Sequence, residues 1–378
     1  MEWGFFDRAI APEKEFVGAN NATAAPTAGS DSRGASLPPR LGAPLLSRAE
    51  TQMARPAASY VWLDGRLLPS TDPHLSVYDR GFQLGDGVFE ALRARRGVAI
   101  ELDGHLARLH ASLNALAFEL PFGDEVVAAG IADLLAAEGW DGVEPPGDAV
   151  IRVTVSRGFD PARGVGPWAG GTASVAIQAW PFTPPQARLL LDGERFVTSV
   201  VRRDPNSPVS GIKTTSRAEL VYARLEAERA GADDAIFLTT DGRVTEATTA
   251  NVLLIRGDTC ATPRLGTGLL AGTTRAWLVD HGSAVGLRMV ERDLRLEDML
   301  AADEAAVCSS IGGIVPFTWL DGSPIGSGRP GPRTIAMRSA RESWIDVVSL
   351  EGSGTRRAGA RTSPHASGPA SAAGGSSG

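Results

Sequence analysis

The sequence predicts a two-domain protein of the α+β or α/β class. Two observations carry that prediction. Strand-patterned and helix-patterned segments are mixed in two blocks. The run Pro181-Phe182-Thr183-Pro184-Pro185 interrupts the pattern between them, because proline restricts its own backbone and that of the residue before it. At 378 residues and 43% hydrophobic content the chain can bury two ordinary cores.

The elements follow in order. Tyr60-Val61-Trp62-Leu63 reads as a strand, and Asp64-Gly65 as the turn of a hairpin. Val88 to Arg95 is a second strand. His105 to Leu116 carries Leu106, Leu109, Leu113 and Leu116 at helical spacing, and Val126 to Ala137 is another helix. Ala149 to Ser156 and Ala173 to Ala179 alternate as half-buried strands do. Beyond the proline-rich break come strands near 188–202, a helix from about Arg217 to Ala230, and Gly231 as its stop signal. A hairpin is expected from Ala235 to Leu238, through Asp241-Gly242, into a strand from Val244 to Ile255. A helix opens near Thr273.

The ends differ from this body. Residues 1–57 are dominated by Ala, Pro, Gly and Ser without periodicity after about residue 17, and are expected to form a disordered extension, with Met53 as the true start. Residues 351–378 are low in complexity and are expected to be a disordered tail. The expected organisation is an N-terminal domain over 58–180, a linker over 181–187 and a second domain over 188–350.

Composition excludes several function classes. The formal charge of -7 argues against a nucleic-acid or membrane-surface binder, both of which need a basic face. No apolar run is long enough to span a bilayer, and the N-terminus lacks the apolar core of a signal peptide. Two cysteines, Cys260 and Cys308, are too few for a disulfide framework, so a cytoplasmic location is expected. Five scattered histidines offer no metal-ligand spacing.

Lysine usage is the most informative feature. Of 37 basic residues only two are lysine, and one of them, Lys14, lies in the expected extension. Arginine replaces lysine in most surface ion pairs at little cost. It cannot replace lysine in a Schiff base, which needs a primary amine able to lose its proton. Lys213 is therefore a candidate nucleophile, against the bland reading of a surface lysine spared by chance. Its segment, Ser210-Gly211-Ile212-Lys213-Thr214-Thr215-Ser216-Arg217-Ala218-Glu219, reads as a strand end leading into a helix capped by Ser or Thr.

With its neighbours, this segment resembles the class IV aminotransferases. These are pyridoxal phosphate enzymes of fold type IV that include branched-chain and D-amino-acid transaminases and 4-amino-4-deoxychorismate lyase. The resemblance runs from about residue 60 to 335. It implies a small N-terminal α/β domain and a larger C-terminal domain with pyridoxal 5'-phosphate between them, and a homodimer. Lys213 matches the lysine that holds the cofactor as an internal aldimine. Thr245-Glu246-Ala247-Thr248-Thr249-Ala250-Asn251 is similar to the family's T-E-x-x-x-x-N signature. Its glutamate, Glu246, is implied to pair with the pyridine nitrogen, since an adjacent carboxylate keeps that nitrogen protonated.

Phosphate binding is implied for Gly272, Thr273 and Thr274, where a helix N-terminus favours an anion. A helix cap with two threonines is the bland alternative. Arg108, in His105-Leu106-Ala107-Arg108-Leu109, matches the family's phosphate-binding arginine; Ser310 stands where relatives often have a phosphate-binding threonine. Arg163 is implied as a contact for a substrate carboxylate, against the reading of a loop arginine in water.

The implied reaction is transfer of an amino group between an amino acid and a 2-keto acid. Arg217 and Ala218 after the lysine, in place of the branched-chain enzymes' tyrosine, keep the lyase open, which releases pyruvate to give 4-aminobenzoate. A non-catalytic family member that binds the cofactor is the third reading.

Overall fold

The computed structural model describes residues 58–142, 148–161, 164–166 and 171–362. The expected extension 1–57, the Met53 start, the tail beyond residue 362 and Arg163 lie outside the described residues.

The first sheet has six strands, β1 (Tyr60–Leu63), β2 (Arg66–Pro69), β3 (Gly87–Arg95), β4 (Val98–Ala99), β5 (Asp148–Ser156) and β6 (Ser174–Pro181). Their order is β2-β1-β6-β5-β3-β4, antiparallel throughout. The β1–β2 turn uses Asp64 and Gly65, both at positive φ, as a tight hairpin requires. A short helix α1 (Arg80–Leu84) precedes β3, and helices α2 (Leu102–Ala115) and α3 (Asp124–Ala137) cover one face.

Alternation in β5 buries Ala149, Ile151, Val153 and Val155 against Leu109, Leu113, Ile131 and Leu134 of those helices. The intervening residues, Arg152 among them, therefore point to the opposite face.

Residues 182–186 carry no helix or strand. Helix α4 (Ala187–Leu191) follows, then β7 (Glu194–Arg203), α5 (Ala218–Arg229), β8 (Asp234–Thr239), β9 (Val244–Ala247), β10 (Asn251–Arg256), β11 (Thr259–Pro263), α6 (Thr273–His281), β12 (Arg288–Arg292), α7 (Leu296–Leu300), β13 (Glu304–Ser309), β14 (Gly313–Leu320), β15 (Ser323–Pro324) and α8 (Pro332–Thr362). The second sheet runs β12-β11-β10-β13-β14-β7-β8-β9, and a β9–β10 pairing closes its middle into a barrel. Inward residues such as Val252, Leu254, Val307 and Phe317 fill the barrel. Outward Leu253, Ile255 and Cys308 pack with Trp277 of α6 and Met337 of α8.

Helix α8 ties the two sheets together. Its Glu342 and Asp346 pair with Arg93, Arg95 and Arg96 from β3 and the turn after it. Its buried Arg341 makes a two-pronged bond to Glu101 and lies against the Trp277 and Trp344 rings.

Four expectations are corrected. The run from 188 begins as helix α4, since Arg-Leu-Leu-Leu is unbranched at Cβ and suits a helix as well as a strand. Val244 to Ile255 is two strands, because Thr248–Ala250 reverses the chain. Helix α5 has Arg217 at its N-cap without a side-chain cap. The first part of the expected tail, through Thr362, continues α8 as helix, since extending a helix fixes one residue per new hydrogen bond.

Among the described residues, no helix is long and apolar enough to cross a membrane, and no cluster of His, Cys, Asp and Glu could hold a metal.

Candidate active site

Lys213 lies on the loop between β7 and α5, and this loop is laid along β3 of the first sheet. Phe89 N donates to Lys213 O at 2.9 Å and Thr215 N donates to Gly87 O at 2.9 Å. Thr215 Oγ1 and Ser216 Oγ donate to Gly85 O, at 2.8 and 3.2 Å. The hydroxyls expected to cap α5 thus fasten the lysine loop to the other sheet.

Lys213 Nζ sits 4.9 Å from the centre of the Phe89 ring. Burial lowers its ammonium from 10.5 to about 8, aided by Arg108 and Arg217 and opposed by Glu90 and Glu246. A lysine in that range supplies a substantial neutral fraction near pH 8, as a nucleophile or base requires.

Glu246 projects from β9. Leu270 N donates to its Oε2 at 3.0 Å and Arg203 Nη2 to its Oε1 at 3.3 Å. Burial pushes its carboxyl up, and Arg203 and the Leu270 amide only partly offset this. The chain reversal explains the signature spacing: Asn251 pairs directly across from Glu246, and its Nδ2 donates to Leu270 O at 2.9 Å. One turn therefore fixes the glutamate and the segment that leads into α6.

The N-terminus of α6 forms the anion end. Gly272 is its N-cap, and a Cβ there would collide with Asn251 Oδ1. Thr273 Oγ1 lies 3.0 Å from Ser310 Oγ, and the buried Thr274 Oγ1 has no hydrogen-bond partner. Arg108 is committed sideways. Its Nε and Nη2 each donate to Glu90 at 2.7 Å, and its Nη1 donates to Ala271 O at 2.7 Å.

A cavity of about 510 Å³ is lined by Lys213, Glu246, Arg108, Gly272 and Ser310, together with Arg152 and Arg217. The structure thus gathers five of the expected residues around one space, with Thr273 and Thr274 directly behind it. Arg163 is outside the described residues.

Sequence reasoning gives no site role to four further residues, although Arg217 is lyase-like and His105 stands in the motif of Arg108. Arg152 and Arg217 flank the Phe89 ring at 3.8 and 5.2 Å, and among the described residues neither has a carboxylate within salt-bridge distance. Burial lowers both guanidiniums, and Arg217 lowers Arg152 further. Two desolvated cations beside Lys213, of which only Arg217 is partly offset, by Glu246, suit a substrate anion. Glu90 and His105 form a buried pair with Arg108. The polar phase of β5 was a signal for Arg152; Glu90 ends a segment, Arg80 to Glu90, that resembles the family but carries no sign of this role.

These residues fit pyridoxal 5'-phosphate. The set comprises a lysine of lowered pKa, an undercompensated buried carboxyl for the ring nitrogen, a helix N-terminus with an orphaned hydroxyl, and a backbone approach that a Cβ would block.

Known proteins point the same way. A D-alanine aminotransferase of Bacillus licheniformis is 30% identical over 285 residues, covering 75% of this chain and 96% of that protein. An aminodeoxychorismate lyase of Bacillus subtilis (strain 168) is 30% identical over 278 residues, covering 74% and 92%. The crystal structure of the Escherichia coli branched-chain amino acid aminotransferase is similar with a TM-score of 0.71 at 25% identity, covering 76% of this chain and 95% of that one. Residues 87–319 match the amino-transferase class IV model, and the chain belongs to that family of fold-type-IV, pyridoxal-phosphate-dependent enzymes.

Proposed function

We propose that this enzyme is an aminotransferase that moves an amino group between an amino acid and a 2-keto acid, with Lys213 as its catalytic residue. The observation that carries the reading is the pairing of Lys213, lowered to about 8, with Glu246 around one cavity.

In this reading Lys213, Glu246, Gly272, Thr273, Thr274, Ser310 and Arg108 hold pyridoxal 5'-phosphate. When bound, it supplies an electron sink for the charge left at the substrate Cα. Glu246 supplies the negative charge that keeps the ring nitrogen protonated. Arg152 and Arg217 bind substrate carboxylate and orient Cα towards Nζ. Lys213 Nζ, as the neutral amine, takes the Cα proton. The Phe89 ring excludes water from one side of the amine.

The lyase remains the second reading, because Arg217 and Ala218 stand where branched-chain enzymes carry other residues. One panel separates the two. The aminotransferase reading expects keto-acid formation from D- or L-amino acids and no pyruvate from aminodeoxychorismate; the reverse result replaces it with the lyase. Arg217→Met is expected to raise substrate KM by about tenfold or more, as loss of a charged hydrogen bond does.

The enzyme is further proposed to be a homodimer. Leu75, Val77, Tyr78, Phe82 and Phe159 form an exposed apolar group around the first sheet's loops, supported by the Tyr78–Phe159 ring contact. A light-scattering mass of one subunit would contradict it.

A further inference from the structure

Glu90, His105, Thr273 and Ser310 form a line of polar groups from the buried interior to the cavity. His105 Nδ1 lies 2.7 Å from Glu90 Oε2, and both side chains are buried. Its Nε2 lies 3.4 Å from Thr273 Oγ1, which lies 3.0 Å from Ser310 Oγ. Ser310 lines the cavity.

Burial pushes the Glu90 carboxyl up, but hydrogen bonds from Arg108 and His105 outweigh it and hold it at about 2. Glu90 is thus an anion and can only accept. Nδ1 must then carry a proton, and Nε2 is the imidazole atom left to gain or lose one.

Each hydroxyl has one proton to give. With Nε2 bare, the chain runs inward: Ser310 donates to Thr273 and Thr273 donates to Nε2. Ser310 then turns oxygen lone pairs towards the cavity it lines, and neither hydroxyl has a proton left to give an anion at the helix N-terminus. With Nε2 protonated, the imidazole donates to Thr273 Oγ1. The Thr273 and Ser310 protons are released to point outward, and one proton drawn from solvent has reversed two donors.

We propose that binding of the cofactor phosphate at the N-terminus of α6 takes up a proton at His105 Nε2, which turns the Thr273 and Ser310 hydroxyls towards the phosphate. The proposal rests on the cofactor reading above. His105 acts here as a positioning residue.

The charged groups facing His105 leave this assignment intact. Glu90 from β3 fixes Nδ1. Arg108 from α2 brings Nη2 within 3.4 Å of Nδ1, but its fork is held by Glu90. Lys213, on the loop before α5, shares the field of that pair. Helix α6 and the turn between β13 and β14 bring hydroxyls to the Nε2 side.

The sign follows from linkage. A site that binds better with one more proton on the protein loses affinity as pH rises, by up to about tenfold per pH unit for one proton.

The test is the pH dependence of cofactor affinity in the full chain. Pyridoxal 5'-phosphate and unphosphorylated pyridoxal are each titrated into stripped enzyme, followed by visible absorbance. Their affinity ratio cancels the contribution of Lys213. The wild-type ratio is expected to fall with rising pH relative to His105→Gln, whose remaining slope is the phosphate's own ionisation. Thr273→Val leaves the imidazole in place and is expected to lose the same slope, while Thr273→Ser restores it. Equal slopes in wild type, H105Q and T273V would overturn the proposal and leave the cofactor reading standing. Absence of any absorbing adduct with either ligand would overturn the cofactor reading itself, and this proposal with it.

Discussion

Two buried glutamates act on Lys213 from the two sheets, Glu90 on β3 and Glu246 on β9, and their carboxyls are shifted in opposite directions. Glu90 receives a two-pronged bond from Arg108 and a third from His105, and is held down at about 2. Glu246 receives one backbone amide and one arginine contact at 3.3 Å, and burial pushes it up. Both are buried; the difference lies in the donors, three close ones at 2.7 Å on Glu90 against one amide and one arginine contact at 3.3 Å on Glu246. Glu90 is saturated and organises protein. Glu246 is undercompensated, so a further cation on the cavity side lowers its energy, and a protonated ring nitrogen is such a cation.

The largest expected effect tests the group between them. Lys213→Ala should abolish the visible absorbance of the lysine-bound cofactor and lower turnover by at least about 10³-fold, since both nucleophile and base are lost. Retained absorbance in that variant would break the assignment of the whole site. Glu246→Gln is next. It should lower kcat by about 10²-fold, because the amide cannot hold the ring nitrogen protonated. Its stability in urea should be unchanged or higher, since it removes a carboxyl that is costly to ionise where it is buried.

Glu90→Gln should reverse that pattern. The folded-state value lies below the ordinary 4.5, so Glu90 contributes stability above pH 4.5 and loses it as pH falls towards 2. A shift of that size corresponds to about 3 kcal/mol at neutral pH, read from urea denaturation. If Glu246→Gln were the destabilised variant and Glu90→Gln the inactive one, the contrast between saturated and undercompensated carboxyls would be wrong.

How much of this was legible depended on whether the signal was local. Lys213 was legible because arginine cannot do its chemistry, so its survival carried information. Glu246 and Asn251 were legible as a spacing, but the reason for the spacing was not. Thr248-Thr249-Ala250 contains neither glycine nor proline, so nothing in it marks the reversal that sets the two residues opposite each other. Helix α4 was hidden for a related reason, since a short apolar run fits a strand or a helix until its neighbours are known. Arg152 occupies the polar phase of an alternating strand, which looks like a solvent-facing position. It lines the cavity because the lysine loop and the barrel come to that face, which only the tertiary fold reveals. Glu90's role was not legible because its partners His105 and Arg108 lie 15 and 18 residues on in sequence.

Glu194 gives the smallest and most discriminating extension of the contrast. It opens β7 and lines the same cavity. Burial raises its carboxyl from 4.5 to about 7; Asp234 and Asp233 push in the same direction, and Arg224 and Arg188 only partly oppose them. Glu194 therefore belongs with Glu246, but its neighbours add like charge that two arginines only partly offset. Because the folded value is raised, its contribution to stability is complete below pH 4.5 and is lost as pH rises through about 7. Glu194→Gln should leave stability near pH 5 unchanged and raise it above pH 7 by on the order of 1 kcal/mol, less than the full shift implies because the carboxyl borders a cavity. Urea midpoints at pH 5 and pH 8 read the difference directly. A gain at both pH values would mean that packing, not charge, separates Glu194 from Glu90. A gain confined to the higher pH would mean that the second sheet's side of the cavity is held short of cations at two separate carboxyls.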